Sequence, residues 1–290
     1  MILVTGGNGQ VGSELNALSN SSKFEFTFTD YEELDITNMG QVFDFFEKNA
    51  ISYVINCAAY TAVDKAEDEV EKAHAINVTG TENLAKACAK SSIPLIHLST
   101  DYVYHSNTQN IPFKEDDYTM PQGIYAATKL EGELIARTIH SMTMVIRTSW
   151  VYSSFGNNFV KTMIRLGTER NELGIIYDQI GSPTYAADLA KAILEILEQH
   201  NDNKIDTFKF NEIYHYSNEG VCSWYDFAKA IFEIKNIECK VNPIETKDYP
   251  TPAKRPHFSL LNKAKIKNSF GLNIPYWKDS LRKCIDLLEA

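Results

Sequence analysis

Basic residues are the minority charge in this chain: 28 Lys and Arg stand against 38 Asp and Glu, a net charge of −10. No long Lys/Arg run offsets that balance. A chain so charged is a poor binder of nucleic acid or of an anionic membrane surface, and neither partner is expected. A small anionic ligand stays compatible with it, because a helix N-terminus or a single arginine suffices to bind one. Cysteine is sparse. Cys57, Cys88, Cys222, Cys239 and Cys284 are odd in number, widely spaced and form no CxxC. That pattern speaks against a disulfide framework and a cysteine zinc site, and for a reducing compartment, the cytoplasm. The first residues, Met1-Ile2-Leu3-Val4, already have strand character and leave no room for a signal peptide. The N-x-S/T matches at Asn20 and Asn77 are then read as chance. No apolar run reaches the ~18–20 residues of a membrane span, and there is neither an internal repeat nor a low-complexity tract.

What is present suits a packed globular chain. Hydrophobic residues make up 44% of the 290, and 15 Phe, 15 Tyr and 3 Trp supply ample side chain to bury. One large domain or two modest ones fit that length. Strand-like runs at 2–4, 24–29, 53–56, 95–99 and 144–147 alternate with helical spacing at 10–18, 38–48, 70–90 and 125–138. Strict β/α alternation predicts right-handed crossovers and a parallel sheet covered on both faces: an α/β, Rossmann-like doubly wound fold. Phe24, Phe26 and Phe28 alternate with Glu25 and Thr27, which predicts one wetter face for that strand. After Trp150 the alternation fades. Helical patterns recur at 159–170, 186–199, 223–234 and 276–288, between connections such as Asn242-Pro243 and Tyr249-Pro250-Thr251-Pro252. The expected division is a dinucleotide-binding domain over 1–150, which also carries the catalytic residues, and a smaller, mainly substrate-binding α/β lobe over 151–290, with the chain crossing between lobes.

Gly6-Gly7-Asn8-Gly9-Gln10-Val11-Gly12 follows the first strand and opens the first helix. Glycines at 6, 9 and 12 allow a tight turn, a close backbone approach to a pyrophosphate and close helix–strand packing. The helix N-terminus then offers free N–H groups and a positive dipole end to the phosphates. Asp30 ends the second strand 18 residues after Gly12, where an acidic residue binds adenosine ribose hydroxyls; the alternative is a turn cap. Asp35 and Ile36 are placed to meet the adenine. Asn56-Cys57-Ala58-Ala59 closes the third strand with small side chains that leave space for a cofactor or for a helix.

Tyr125-Ala-Ala-Thr-Lys129 puts Tyr and Lys on one face of a helix. Tyr225 and Lys229 repeat the spacing and act as an internal control. Context separates the pairs: Tyr125 follows a strand ending in Ser99-Thr100-Asp101, and strand end and helix meet at the sheet's carboxyl edge, where α/β sheets bind ligands. A Lys129 ammonium nearby would lower the Tyr125 pKa from its usual ~10. Tyr125 would donate a proton to a ketone oxygen as hydride arrives at the carbon, Thr100 would polarise that oxygen, and Lys129 would also hold the nicotinamide ribose.

Together these residues resemble the extended short-chain dehydrogenases/reductases. Longer strings narrow the resemblance to the dTDP-4-dehydrorhamnose reductases: Asn56-Cys-Ala-Ala-Tyr-Thr-Ala-Val-Asp-Lys-Ala-Glu67, Ser99-Thr-Asp-Tyr-Val-Tyr104, Tyr125-Ala-Ala-Thr-Lys-Leu-Glu-Gly-Glu133, Arg147-Thr-Ser-Trp-Val-Tyr152, Gly156-Asn-Asn-Phe-Val-Lys-Thr-Met163, Asp178-Gln-Ile-Gly-Ser-Pro-Thr184 and Thr251-Pro-Ala-Lys-Arg-Pro256 with Ser259. The resemblance runs from Met1 to about Asn262. It implies reduction of a 4-keto dTDP-sugar to dTDP-L-rhamnose, with NADPH as cofactor and NADH also accepted, for a rhamnose-containing cell-surface polysaccharide. A homodimer is the assembly it implies.

Carried over by position, Gly6, Gly9, Gln10, Val11, Gly12, Asp30, Asp35, Ile36, Ala58, Ala59, Tyr60, Thr61, Leu98, Tyr125 and Lys129 would line the cofactor. Thr100, Tyr125 and Lys129 would be catalytic. Thr100, Asp101, Tyr102 and Trp150 would face the sugar, and Asn158 and Arg255 the diphosphate. Trp150 has the alternative of a core aromatic at the lobe junction, and Arg255 that of a surface salt bridge. Tyr104 stands where the family's loop usually has Phe. Some relatives carry Mg²⁺ at a subunit contact; beyond Glu14 no carboxylate cluster for it is evident in the sequence, and no metal residue is assigned.

Three rivals remain at this level. Nucleotide-sugar 4,6-dehydratases and 4-epimerases share the fold and the Tyr–Lys pair, but a dehydratase typically has Asp-Glu after the Thr, and here Asp101-Tyr102 follows Thr100. A catalytically silent regulatory protein, like the regulatory subunit of methionine adenosyltransferase, has no need of an intact Thr100, Tyr125 and Lys129.

Overall fold

The computed structural model describes residues 1–105 and 110–289. In chain order the elements are β1 (Ile2–Thr5), α1 (Gln10–Ser19), β2 (Phe26–Thr29), α2 (Met39–Lys48), β3 (Tyr53–Asn56), α3 (Val63–Ala66), α4 (Val70–His74), α5 (Thr81–Ser91), β4 (Leu95–Thr100), α6 (Ile124–Ile139), β5 (Thr143–Thr148) and β6 (Val151–Tyr152). There follow α7 (Phe159–Glu169), β7 (Glu172–Ile176), β8 (Ile180–Gly181), β9 (Thr184–Tyr185), α8 (Ala186–Asn201), β10 (Ile213–Tyr216), β11 (Cys222–Ser223), α9 (Trp224–Lys235), β12 (Lys240–Ile244), α10 (Ala264–Phe270) and α11 (Trp277–Glu289).

Six strands form one sheet in the order β2-β1-β3-β4-β5-β10, every pair parallel. Both faces are buried, which is why the central strands read as continuous apolar runs rather than alternating ones. Side chains still alternate between two cores: Ile2, Val4, Ile55 and Ile96 pack with α1 and α8, while Leu3, Val54 and Leu95 pack with α2, α5 and α6. β2 is an edge strand. Its Phe26 and Phe28 are only half-buried and stack 5.6 Å apart against the first core, in keeping with a wetter face.

The expected helix at 70–90 is not continuous. A π-helical segment, Ala75–Gly80, separates α4 from α5. Inside it the buried Asn77 accepts the Tyr60 N–H at 2.8 Å and donates to the Thr128 hydroxyl at 3.0 Å. Those long-range bonds tie the bulge to α6, a use typical of π-turns near functional sites.

The two halves of the chain are interleaved. α8 packs beside α1, and β10 adds to β5 at the far sheet edge. A second core, with Tyr152, Phe227, Ile231 and Trp277 at its centre, joins α7, α9 and α11 over two-stranded pairings, of which β7–β12 is the longest. All five cysteines are free, and among the described residues no helix is long and apolar enough to cross a membrane.

Candidate active site

The strand order reverses between β1 and β3, and an open α/β sheet binds its ligand at such a switch point. A cleft of about 470 Å³ lies there. Gly6, directly after β1, has φ +67°, and a Cβ on it would stand 2.6 Å from the Ala58 nitrogen at the end of β3. At Gly12 a Cβ would stand 2.4 Å from the Gly6 oxygen. Gly12 therefore does not line the cleft; it lets α1 press onto the loop. No side chain caps the N-terminus of α1 and no acidic residue occupies its first turn, so its N–H groups and dipole face the cleft unopposed.

The cleft wall contains Gly6, Gly9, Gln10, Val11, Asp30, Asp35, Ile36, Ala58, Ala59, Thr61, Leu98, Tyr125 and Lys129, all expected from the sequence. Tyr60 is turned away, packed with Ala66 and Ala73. Asp30 is both a turn cap and a clamp on the glycine loop: Oδ1 accepts the Tyr31 N–H at 2.8 Å, and Oδ2 the Asn8 N–H at 3.1 Å. Asp35 accepts the Thr37 N–H and hydroxyl at 2.9 and 2.7 Å. Wall residues that were not expected include Asn8, Thr37 and Asn157 from loops, Ile76 from the π-helical segment and Thr148 from the end of β5.

At one end of the cleft, β4 delivers Thr100 and α6 delivers Tyr125 and Lys129. The Thr100 hydroxyl lies close enough to the Tyr125 phenol to hold its pKa down. Thr100 Oγ1 also accepts the Tyr102 N–H and donates to Asp101 Oδ1, both at 3.2 Å. The Tyr102 ring meets Tyr125 edge-on at 5.8 Å. Lys129 is 2% exposed, and its Nζ donates to the Leu98 carbonyl at 2.7 Å. Burial pushes the Tyr125 phenol up to about 12, with Thr100 opposing and Asp101 adding to the rise. Burial likewise brings the Lys129 ammonium down to about 8, against the pull of Glu133 and Cys57. The expected lowering of Tyr125 by Lys129 is not seen: the influences on the phenol are burial, Thr100 and Asp101, burial dominates, and Tyr125 rests as a protonated donor. Burial raises Asp101 to about 7, against hydrogen bonds from Ser259 and Thr100.

The control pair, Tyr225 and Lys229, lies on α9 in the second lobe and outside the cleft wall. Trp150 has φ +49°, a strained value for a bulky residue. Its ring stacks on Trp224 at 3.7 Å, at the junction of the lobes and outside the cleft wall. Asn158 is the N-cap of α7: Oδ1 accepts the Lys161 N–H at 3.2 Å, and Nδ2 donates to the Ser153 carbonyl at 2.7 Å and to Gln10 Oε1 at 3.0 Å. Its amide is spent on holding Gln10 and the second lobe together. Arg255 forms a two-pronged pair with Asp64, both N···O distances being 2.7 Å, and lies near Tyr102. Arg255 and Trp150 thus each have the partner that its alternative reading names, Asp64 and Trp224, and Arg255 is held in a fixed orientation by it.

Sequence reasoning missed the supports. Glu67 Oε1 accepts the Ile124 N–H at 2.8 Å at the start of the helix that carries Tyr125. Glu133 and Arg147 form a buried pair behind Lys129. A charged residue inside an otherwise apolar strand, as in Met144-Val-Ile-Arg147, was the available signal. The described residues hold no group of three or more His, Cys, Asp or Glu arranged to bind a metal ion, and Glu14 accepts the Ser153 hydroxyl at 2.5 Å.

The described RmlD substrate-binding-domain family model matches residues 1–290. The dTDP-4-dehydrorhamnose reductase of Aggregatibacter actinomycetemcomitans is 40% identical over 289 residues, covering 97% of each chain. The crystal structure of the Clostridium acetobutylicum dTDP-4-dehydrorhamnose reductase superposes with a TM-score of 0.93 at 40% identity, covering 100% of this chain and 99% of that one. The Bacillus anthracis dTDP-4-dehydrorhamnose reductase, solved in complex with NADP, gives 0.91 at 38%, covering 99% and 98%. With full-length matches in sequence and in structure, the chain belongs to the dTDP-4-dehydrorhamnose reductase family.

Proposed function

We propose that this chain reduces the 4-keto group of dTDP-4-dehydro-6-deoxy-L-mannose to dTDP-L-rhamnose, using NADPH and also accepting NADH. The observation that carries the reading is the convergence of Tyr125 and a buried Lys129 in one cleft wall with Thr100 beside Tyr125. The glycine loop fits a dinucleotide: Gly6 and Gly9 line the cleft, and the uncapped N-terminus of α1 opens onto it. The cofactor, when bound, supplies a hydride to C4.

The chain's own residues manage the oxygen. A ketone oxygen entering the site would accept the Tyr125 proton, and the Thr100 hydroxyl, rotated from Asp101, would donate to the same oxygen. As C4 gains the hydride, the C=O π electrons take the Tyr125 proton, giving the alcohol and a phenolate. The Lys129 ammonium stabilises that phenolate until solvent returns the proton. Oxidation of NADPH followed with the purified protein and the 4-keto sugar nucleotide, with dTDP-L-rhamnose identified as product, tests this; no oxidation overturns it.

Cofactor choice follows from Asp30. Its carboxylate suits the 2′-hydroxyl of NADH and repels a 2′-phosphate, and Tyr31, Leu34 and Asp35 beside it in the wall bring no positive charge. The open loop lets a 2′-phosphate point into water, where screening over roughly 8 Å softens the repulsion. Discrimination of no more than about tenfold, ~1.4 kcal/mol, is expected. Asp30→Asn keeps an acceptor for Asn8 and should move the kcat/KM ratio toward NADPH. A hundredfold preference for NADPH in the unaltered enzyme would remove Asp30 from the ribose.

Arg255 is the diphosphate contact of this reading, pre-oriented by Asp64. Arg255→Ala should raise KM for the sugar nucleotide well above any change in NADPH affinity, because the contact exists in ground and transition states alike. Equal KM values would dismiss it.

A further inference from the structure

Lys129 has an unusual setting for an ammonium that must stay charged. It is almost wholly buried, and its Nζ donates to a neutral acceptor, the Leu98 carbonyl. A lone charge so placed sheds its proton unless a negative group stands near. The groups facing it are few. Tyr125 and Glu133 come from its own helix, Cys57 from the end of β3, and His97 from β4. Burial pushes the Cys57 thiol up to about 12 and the His97 imidazole well below its ordinary range, so both are neutral across the working range. Glu133 is the remaining anion.

Glu133 is held with unusual care. It lies one helical turn beyond Lys129, on the same face of α6. It accepts the Ser99 hydroxyl, and Ser99 adjoins the Leu98 whose carbonyl takes the lysine. Arg147 on β5 grips it with Nη2 at 2.7 Å from Oε2 and Nε at 3.1 Å from each oxygen. The remaining end of the guanidinium donates to the Tyr104 hydroxyl at 2.5 Å and to the Glu115 carbonyl at 3.4 Å. Tyr104 in turn meets His215 of β10 at 2.8 Å; burial and Arg147 hold that imidazole down at about 3, hence neutral. The pair is a fixed dipole: its carboxylate is the end Lys129 feels, and its guanidinium is tied off toward Tyr104.

We propose that Glu133 is a positioning residue for the reaction, its carboxylate locked by Ser99 and Arg147 so as to keep the Lys129 ammonium charged and pinned to the Leu98 carbonyl. The proposal rests on the catalytic reading of Lys129 given above and adds the group that sustains it. Arg147 keeps Glu133 in place, and Ser99 fixes its register against β4. Neither touches substrate or cofactor in this scheme.

The test reads the lysine itself. Protein labelled with ¹³C at the lysine ε-carbon is titrated by NMR, the Lys129 signal being assigned by its loss in Lys129→Met. Glu133→Gln alone strands Arg147 in the interior and is prone to misfold. The double variant Glu133→Gln/Arg147→Met removes both charges and keeps a comparable volume. In the folded double variant the Lys129 midpoint should move to lower pH by ~1 unit, since a buried ammonium loses its anion. NADPH affinity, measured by fluorescence, should begin to fall at a correspondingly lower pH. A midpoint unchanged in the folded double variant would overturn the proposal. That outcome is separate from failure of the reductase reading, which would show as absence of NADPH oxidation in the unaltered protein while the lysine titration stayed measurable.

Discussion

Tyr125→Phe is expected to lower turnover by at least ~10²-fold while leaving cofactor affinity close to that of the unaltered enzyme, because only the proton donor is removed. The ring remains, with its edge-on contact to Tyr102, so the cleft wall keeps its shape. Tyr225→Phe, on α9 and outside the wall, is the matched control and should be near normal. The pH dependence separates the two partners of the site. Tyr125, raised to about 12, is protonated and competent throughout the neutral range. Lys129, lowered to about 8, is charged below that pH and neutral above it. The alkaline fall in kcat/KM should therefore appear near pH 8 and belong to the lysine. Unchanged turnover in Tyr125→Phe would remove the residue from the chemistry.

The parallel sheet was legible because its signal is local and repeated. Each central strand is an apolar run bounded by a turn, and burial on both faces leaves no other pattern for such a run; of the edge strands, β2 alternates and β10, with His215 inside it, was not read from the sequence. The glycine loop was legible for a similar reason: Gly6 and Gly12 answer to steric demands within a few residues. The π-segment at Ala75–Gly80 was not, since Asn77 is drawn out of register by Tyr60 and Thr128, partners distant in sequence. In the second half the helical patterns at 159–170, 186–199, 223–234 and 276–288 meet α7, α8, α9 and α11, and only the short strands were opaque. β6, β8, β9 and β11 have two residues each, too short for any period to show.

At the site, Thr100, Tyr125 and Lys129 stood out because strand end and helix face are adjacent in the topology. The ion pairs behind them did not. Asp64 and Arg255 are 191 positions apart, and Arg147 meets Glu133 across two layers. Such pairs are chosen by tertiary geometry, and a sequence shows only an isolated charge among apolar neighbours.

Lys129→Met should make the protein inactive and more stable at once. The loss of activity follows from the two tasks of the ammonium, stabilising the Tyr125 phenolate and holding the nicotinamide ribose; a fall in kcat/KM of roughly a hundredfold or more is expected. The gain in stability follows from linkage. In the unfolded chain lysine titrates near 10.4, while in the fold Lys129 titrates at about 8. The folded state therefore binds the proton more weakly, and at pH 7 burying the charged form costs free energy that is regained as pH rises through this window. A depression of that size corresponds to ~3 kcal/mol at most. Loss of the bond to Leu98 and imperfect packing of the shorter thioether offset part of it, leaving a net gain of roughly 1–2 kcal/mol. Thermal unfolding at pH 7 should show the Met variant melting a few degrees higher, and at pH 10 the two proteins should converge, since the unaltered lysine is by then mostly neutral. A variant less stable at pH 7, or one whose advantage grew with pH, would mean that the fold favours the ammonium, and the strained charge at the heart of the site would have to be abandoned.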